Sequence, residues 1–77
     1  LIDDGDVVII KPSDTASNGD MVVAWLKDEE EATLKRFYRE GSRVRLQPAN
    51  STMNPIYCPA DNVEVHGKVV SVIRQLD

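Results

Sequence analysis

Turn-forming pairs break this chain at short intervals: Asp4-Gly5, Lys11-Pro12, Asn18-Gly19, Glu40-Gly41, Gln47-Pro48, Asn54-Pro55, Cys58-Pro59 and His66-Gly67. Glycine tolerates positive φ, and proline fixes φ while removing a backbone donor, so each pair stops or bends a regular element. The runs between them are rich in Val, Ile, Thr, Tyr and Phe. No window of about ten residues keeps a 3.6-residue apolar period. Such a pattern permits short strands joined by turns, and it predicts an all-β fold, a small curled sheet or part of a barrel.

Val7-Val8-Ile9-Ile10 is a continuous apolar run of strand length, the pattern of a strand covered on both faces. Met21 to Lys27 predicts a second strand, entered from the Asn18-Gly19 turn. Glu31 to Arg39 and Arg43 to Leu46 lie on either side of Gly41 and predict a hairpin. Pro48 through Pro59 holds three of the four prolines and predicts an irregular loop with a short extended piece near Ile56-Tyr57. Val63 to His66 and Lys68 to Arg74, separated by Gly67, predict a final strand pair.

A chain of 77 residues is at most one small domain. Its net charge of −4 repels phosphate, so direct DNA binding by these residues is disfavoured. The longest apolar run, Met21 to Leu26, is far short of the roughly 20 residues that a membrane-spanning helix needs. The opening Leu1-Ile2-Asp3-Asp4-Gly5-Asp6 has no basic region and no initiator Met, and reads as a cut inside a longer chain. Cys58 is the single cysteine, so no internal disulfide forms, and with His66 alone beside it a zinc site lacks ligands. A reducing cytoplasm and no cofactor are the expectations.

Few side chains carry chemistry. His66 alternates with Val63 and Val65 and reads as a solvent-facing strand-end residue rather than a catalytic base. Asp28-Glu29-Glu30-Glu31 lacks the spacing of a cation loop and reads as a solvated hairpin tip. Cys58 has no basic neighbour in sequence and reads as packing. Lys35 stands apart. Alternation puts Thr33, Lys35 and Phe37 on one side of their strand, where partial desolvation of the amine would favour a neutral base. A lysine stem crossing apolar surface with its head in water fits the same pattern.

The order of segments resembles the C-terminal self-cleavage and dimerisation domain of LexA-type repressors. Asp3 to Ile10 is similar to that family's strand after its nucleophile motif, and Asn18-Gly19-Asp20-Met21-Val22-Val23-Ala24 to its G-[DQ]-x-V-V-A segment. Glu31-Ala32-Thr33-Leu34-Lys35-Arg36 resembles E-x-T-[VL]-K-R. Pro48-Ala49-Asn50-Ser51 with Pro55-Ile56 resembles P-E-N-x(4)-P-I, with Ala49 in place of Glu. Gly67 to Arg74 resembles the closing G-x-V-x-x-V-I-R strand.

The resemblance implies a serine–lysine dyad in which Lys35 is the general base, with Glu31 and Thr33 as its same-strand neighbours. A free lysine titrates near 10.4, so such a base must lose its proton before it can accept one. The family's serine lies in a G-x-S-M motif upstream of Asp6. That motif is absent here, and Ser13, Ser17, Ser42, Ser51 and Ser71 fall in other family positions. Residues 1–77 are therefore expected to be the C-terminal portion of the catalytic and dimerisation domain of a longer repressor of the DNA-damage (SOS) response, inactive by itself. The parent would be cut under the influence of a recombinase filament on single-stranded DNA, and would reach operator DNA only through an upstream domain. A homodimer through Val69, Val70, Val72 and Ile73 is also implied. The alternatives are a UmuD-like mutasome subunit with the same dyad, or a non-enzymatic β-barrel interaction module.

Overall fold

The computed structural model describes residues 5–50 and 52–74. Leu1 to Asp4 and Ser51 lie outside them, with the sequence readings made there. Six strands form one antiparallel sheet: β1 (Val7–Pro12), β2 (Met21–Leu26), β3 (Glu31–Glu40), β4 (Arg43–Gln47), β5 (Ile56–Pro59) and β6 (Val63–Ile73). Their order across the sheet is β1-β6-β2-β3-β4-β5. A single 3-10 turn, Ala60–Asn62, joins β5 to β6.

The sheet is strongly coiled, and two hydrogen bonds measure the coil. β3 would run about 30 Å if flat. The Ala60 N–H donates to the Ser42 carbonyl just beyond one end of β3 (2.9 Å), and the Asn62 carbonyl accepts from the Lys27 N–H just before the other (3.0 Å). Ala60 to Asn62 spans about 7 Å at most. The two ends of the β3 ladder are therefore curled toward each other, which is the curled all-β architecture that the turn pattern predicts.

The core fills the concave side. Val22, Ala24 and Leu26 of β2 alternate inward and meet Phe37 of β3, Val44 and Leu46 of β4 and Cys58 of β5. Ala16, Ile56, Ala60, Val63 and Val65 close over this cluster. On the convex side, the Arg45 and Arg43 guanidinium groups stack over Tyr38 and Tyr57 (4.2 and 4.4 Å to the ring centroids). Glu40 bridges both arginines.

Two readings of the sequence are corrected. The residues predicted as a final strand pair form one continuous strand, because Gly67 lies inside β6 and makes no turn. It is buried where β1 crosses: a Cβ built on it would stand 2.5 Å from Ile10 Cγ2 and 3.1 Å from the Lys11 carbonyl oxygen. A glycine in a strand can mark a turn or a close approach, and here it marks the latter. The second correction concerns Val7 to Ile10, which is not covered on both faces. Among the described residues β1 is an edge strand paired only with β6, and Val7, Ile9 and Ile10 are each more than 40% exposed.

Candidate active site around Lys35

β3 pairs with β2 over Glu31 to Arg36 and with β4 over Arg36 to Glu40, so Thr33 and Lys35 lie on the half of the strand that pairs with β2. Its register is clamped by the Asn18-Gly19-Asp20 segment. The Gly19 N–H donates to the Phe37 carbonyl and the Phe37 N–H to the Asp20 carbonyl, both at 2.8 Å. Asn18 Oδ1 accepts the Arg39 N–H (2.7 Å), and Arg36 Nη1 donates to the Gly19 carbonyl (2.6 Å). Gly19 adopts φ 95, which glycine takes at little cost. The sequence shows Asn18-Gly19 as a turn; that its amide fastens β3 depends on register and was missed.

In this register Val22 is the direct partner of Lys35, and Ala24 of Thr33. Cross-strand partners share a face, so Lys35 and Thr33 lie on the side of Val22, Ala24 and Phe37, as alternation predicts. Lys35 and Thr33 are half-buried, and Val22 is wholly buried. Lys35 Nζ donates to Thr33 Oγ1 at 2.6 Å and, more loosely, to the Leu34 carbonyl at 3.4 Å. Glu31 shares the strand but is not brought to the amine. It is exposed at the start of β3, about 13 Å from Lys35 along an extended chain.

The remaining candidates are dispersed. His66 is exposed but lies mid-strand rather than at a strand end, at the bulge where Val23 and Ala24 change register. Its ring stacks on Trp25, with centroids 6.1 Å apart, and its Nε2 lies 3.2 Å from Glu64. That bond is the largest cause holding the Glu64 carboxyl below its ordinary range. Asp28 to Glu30 form the β2–β3 turn, leading into Glu31 at the start of β3. Cys58 is a core residue whose thiol is pushed up by burial first, then by the charges of Glu29 and Asp28. A cavity of about 520 Å³ opens beneath Asp14 to Ala16, lined by Phe37, Arg39 and Val65; Lys35 does not line it. Among the described residues no group of three His, Cys, Asp or Glu side chains is placed to hold a metal ion.

The closing strand has two halves. β2 pairs with β6 only from Val63 to Lys68, so beyond that point β1 is the only partner among the described residues. Val70, Val72 and Ile73 are 58%, 41% and 49% exposed, and Val69 is half-buried.

The family model described as Peptidase S24-like matches residues 1–70. The chain is 60% identical over 76 residues to a LexA repressor of Herpetosiphon aurantiacus, covering 99% of this chain and 36% of the relative. It is 55% identical over 76 residues to one from a Roseiflexus species (99% and 35%), and 56% over 73 residues to one from Staphylococcus haemolyticus (95% and 34%). The chain thus spans about a third of the length of these curated relatives. With most of its length matched, the chain belongs to the Peptidase S24-like family and is of the LexA type.

Proposed function

We propose that this chain is the lysine-bearing, self-associating part of a LexA-like repressor that inactivates itself by cutting its own backbone, with Lys35 as general base. The observation that carries this reading is the seating of the amine. A neutral amine has two N–H donors and one lone pair. Thr33 Oγ1 and the Leu34 carbonyl can each accept one donor, leaving the lone pair for the proton of a serine hydroxyl.

The nucleophile in this reading is a serine from outside the 77 residues. Among the described residues no serine is hydrogen-bonded to Lys35. The hydroxyl attacks a peptide carbonyl as Lys35 takes its proton, and the amine then returns that proton to the departing backbone nitrogen. Water hydrolyses the resulting ester by the same route. In the whole protein the cut would part a dimerising half from a half that reads operator DNA, under stimulation by a recombinase filament on single-stranded DNA.

The test uses the full-length protein. Lys35→Ala is expected to abolish self-cleavage while the dimer stays folded. Thr33→Val should slow it roughly tenfold, the effect of about 1.4 kcal/mol for one hydrogen bond. Wild-type cleavage should accelerate with rising pH, as expected of a step in which a general base takes the serine proton. Cleavage by Lys35→Ala at the wild-type rate at alkaline pH would remove Lys35 from the mechanism.

A further inference from the structure

The pairing registers set three lysines in one row. Lys11 of β1 is directly opposite Lys68 of β6, Lys68 is opposite Val22 of β2, and Val22 is opposite Lys35 of β3. Direct partners share a face, so all three lysines project from the side that carries the proposed base, with Val22 wholly buried between two of them. Like charges directly opposite on adjacent strands are unfavourable, and Lys11–Lys68 is such a pair. One acid answers the row: Asp20 Oδ2 lies 3.5 Å from Lys68 Nζ. Among the described residues neither Lys11 nor Lys35 is within ion-pair distance of a carboxylate. The row therefore keeps a local excess of positive charge on a chain whose net charge is −4.

We infer that Lys11 and Lys68 form a carboxylate-recognition subsite beside Lys35, taking an acidic side chain of the peptide segment that is cut there. This deepens the proposed function and rests on it. The subsite fixes the segment's register by matching one charge, while Lys35 does the chemistry. Strands lie about 4.8 Å apart, so Lys68 stands roughly 10 Å from Lys35 across the sheet, and Lys11 roughly 14 Å. An extended peptide advances about 3.3 Å per residue. A segment crossing the strands over this row therefore presents its acid about three to four residues from the bond that is cut.

The requirement separates cleanly from catalysis, because it predicts a preference in binding. A short alanine–glycine peptide with a single central aspartate, and its asparagine twin, serve as probes for the chain as it stands. Binding is read by amide chemical-shift changes at Lys11, Val22 and Lys68. The aspartate peptide is expected to bind at least tenfold more tightly than its twin, with the advantage shrinking as salt is raised. Lys68→Met, which keeps an apolar stem, should remove most of that preference, and Lys11→Gln part of it. Lys35→Gln should leave most of it intact.

In the full-length protein the same two substitutions should slow cleavage of the natural segment, and the wild-type pH profile should keep its shape. Equal affinity for the two peptides, or a preference that survives loss of both lysines, would overturn the subsite. Failure of the base assignment would show differently, as cleavage persisting in Lys35→Ala while the peptide preference stands.

Discussion

The Cγ2 methyl of Ile10 lies 2.5 Å from the position that a Cβ on Gly67 would take, and the Lys11 carbonyl oxygen lies 3.1 Å from it. β1 can lie against β6 at this point because β6 has no side chain there. The contact also explains why Gly67 interrupts an apolar strand without ending it.

Gly67→Ala should therefore cost about 1–3 kcal/mol, the range of overpacking in a filled site. Ile10 Cγ2 is branched at Cβ and cannot swing away as the end of a long side chain would. Part of the loss should be recovered in an Ile10→Ala background, since that change removes the nearest atom and leaves the carbonyl. Urea unfolding of the two single variants and the double variant measures the coupling. Purely additive losses would place the effect in strand propensity rather than in this contact.

Acid should weaken the fold through two surface carboxylates, of which Glu64 is exposed and Asp20 half-buried. The Glu64 carboxyl is held below its ordinary value of 4.5, first by the hydrogen bond with His66 and further by Lys27. The Asp20 carboxyl is held below 3.8, first by the Ser17 backbone N–H and further by Lys68. A carboxyl depressed in the folded state contributes stability above its unfolded pKa and loses it as pH falls through the folded value. The urea midpoint should be flat from neutrality to about pH 5 and decline below about pH 4.5. Glu64→Gln should flatten the upper part of that decline, and Asp20→Asn the lower part.

The buried thiol offers a separate test of the core. Burial and two nearby acids push the Cys58 thiol up, so little thiolate forms at neutral pH. Labelling by a thiol reagent at pH 7.5 should be slow in the folded chain and fast in urea. Cys58→Ser should cost about 1–3 kcal/mol, because it buries a hydroxyl among Val44, Leu46 and Phe37. Cys58→Ala should cost less. Equal losses would mean that the serine finds a hydrogen-bond partner in the core.

Local chemistry made much of this fold readable. Gly41 separates two runs that pair as a hairpin, and simple alternation puts Lys35 on the side of Phe37. What escaped depends on which strands meet. Val7 to Ile10 looks the same in sequence whether it is central or at an edge, and only pairing with β6 alone leaves it half-exposed. Gly67 could be assigned only once Ile10 was known to lie over it. The opposition of Lys11 and Lys68 joins residues from opposite ends of the chain, and no local pattern announces it. The Asn18 clamp on Arg39 is hidden for the same reason.

Self-association through the outer half of β6 is the last expectation. Beyond Lys68 this strand has β1 on one side and no other partner among the described residues, and Val70 is 58% exposed. Exposed apolar strand edges recruit other strands, and a symmetric pair would bring the same strand of each copy together. Among the described residues nothing covers Val70. A charge at Val70 should therefore leave the fold intact. Val70→Glu is expected to give a folded monomer by sedimentation, whereas the wild type is expected to be a dimer at high micromolar concentration. Val22→Glu is the contrasting control: it places a charge at a fully buried site and should unfold the chain outright. A wild-type chain that sediments as a monomer, or a Val70→Glu chain that still dimerises with wild-type strength, would take the interface away from β6.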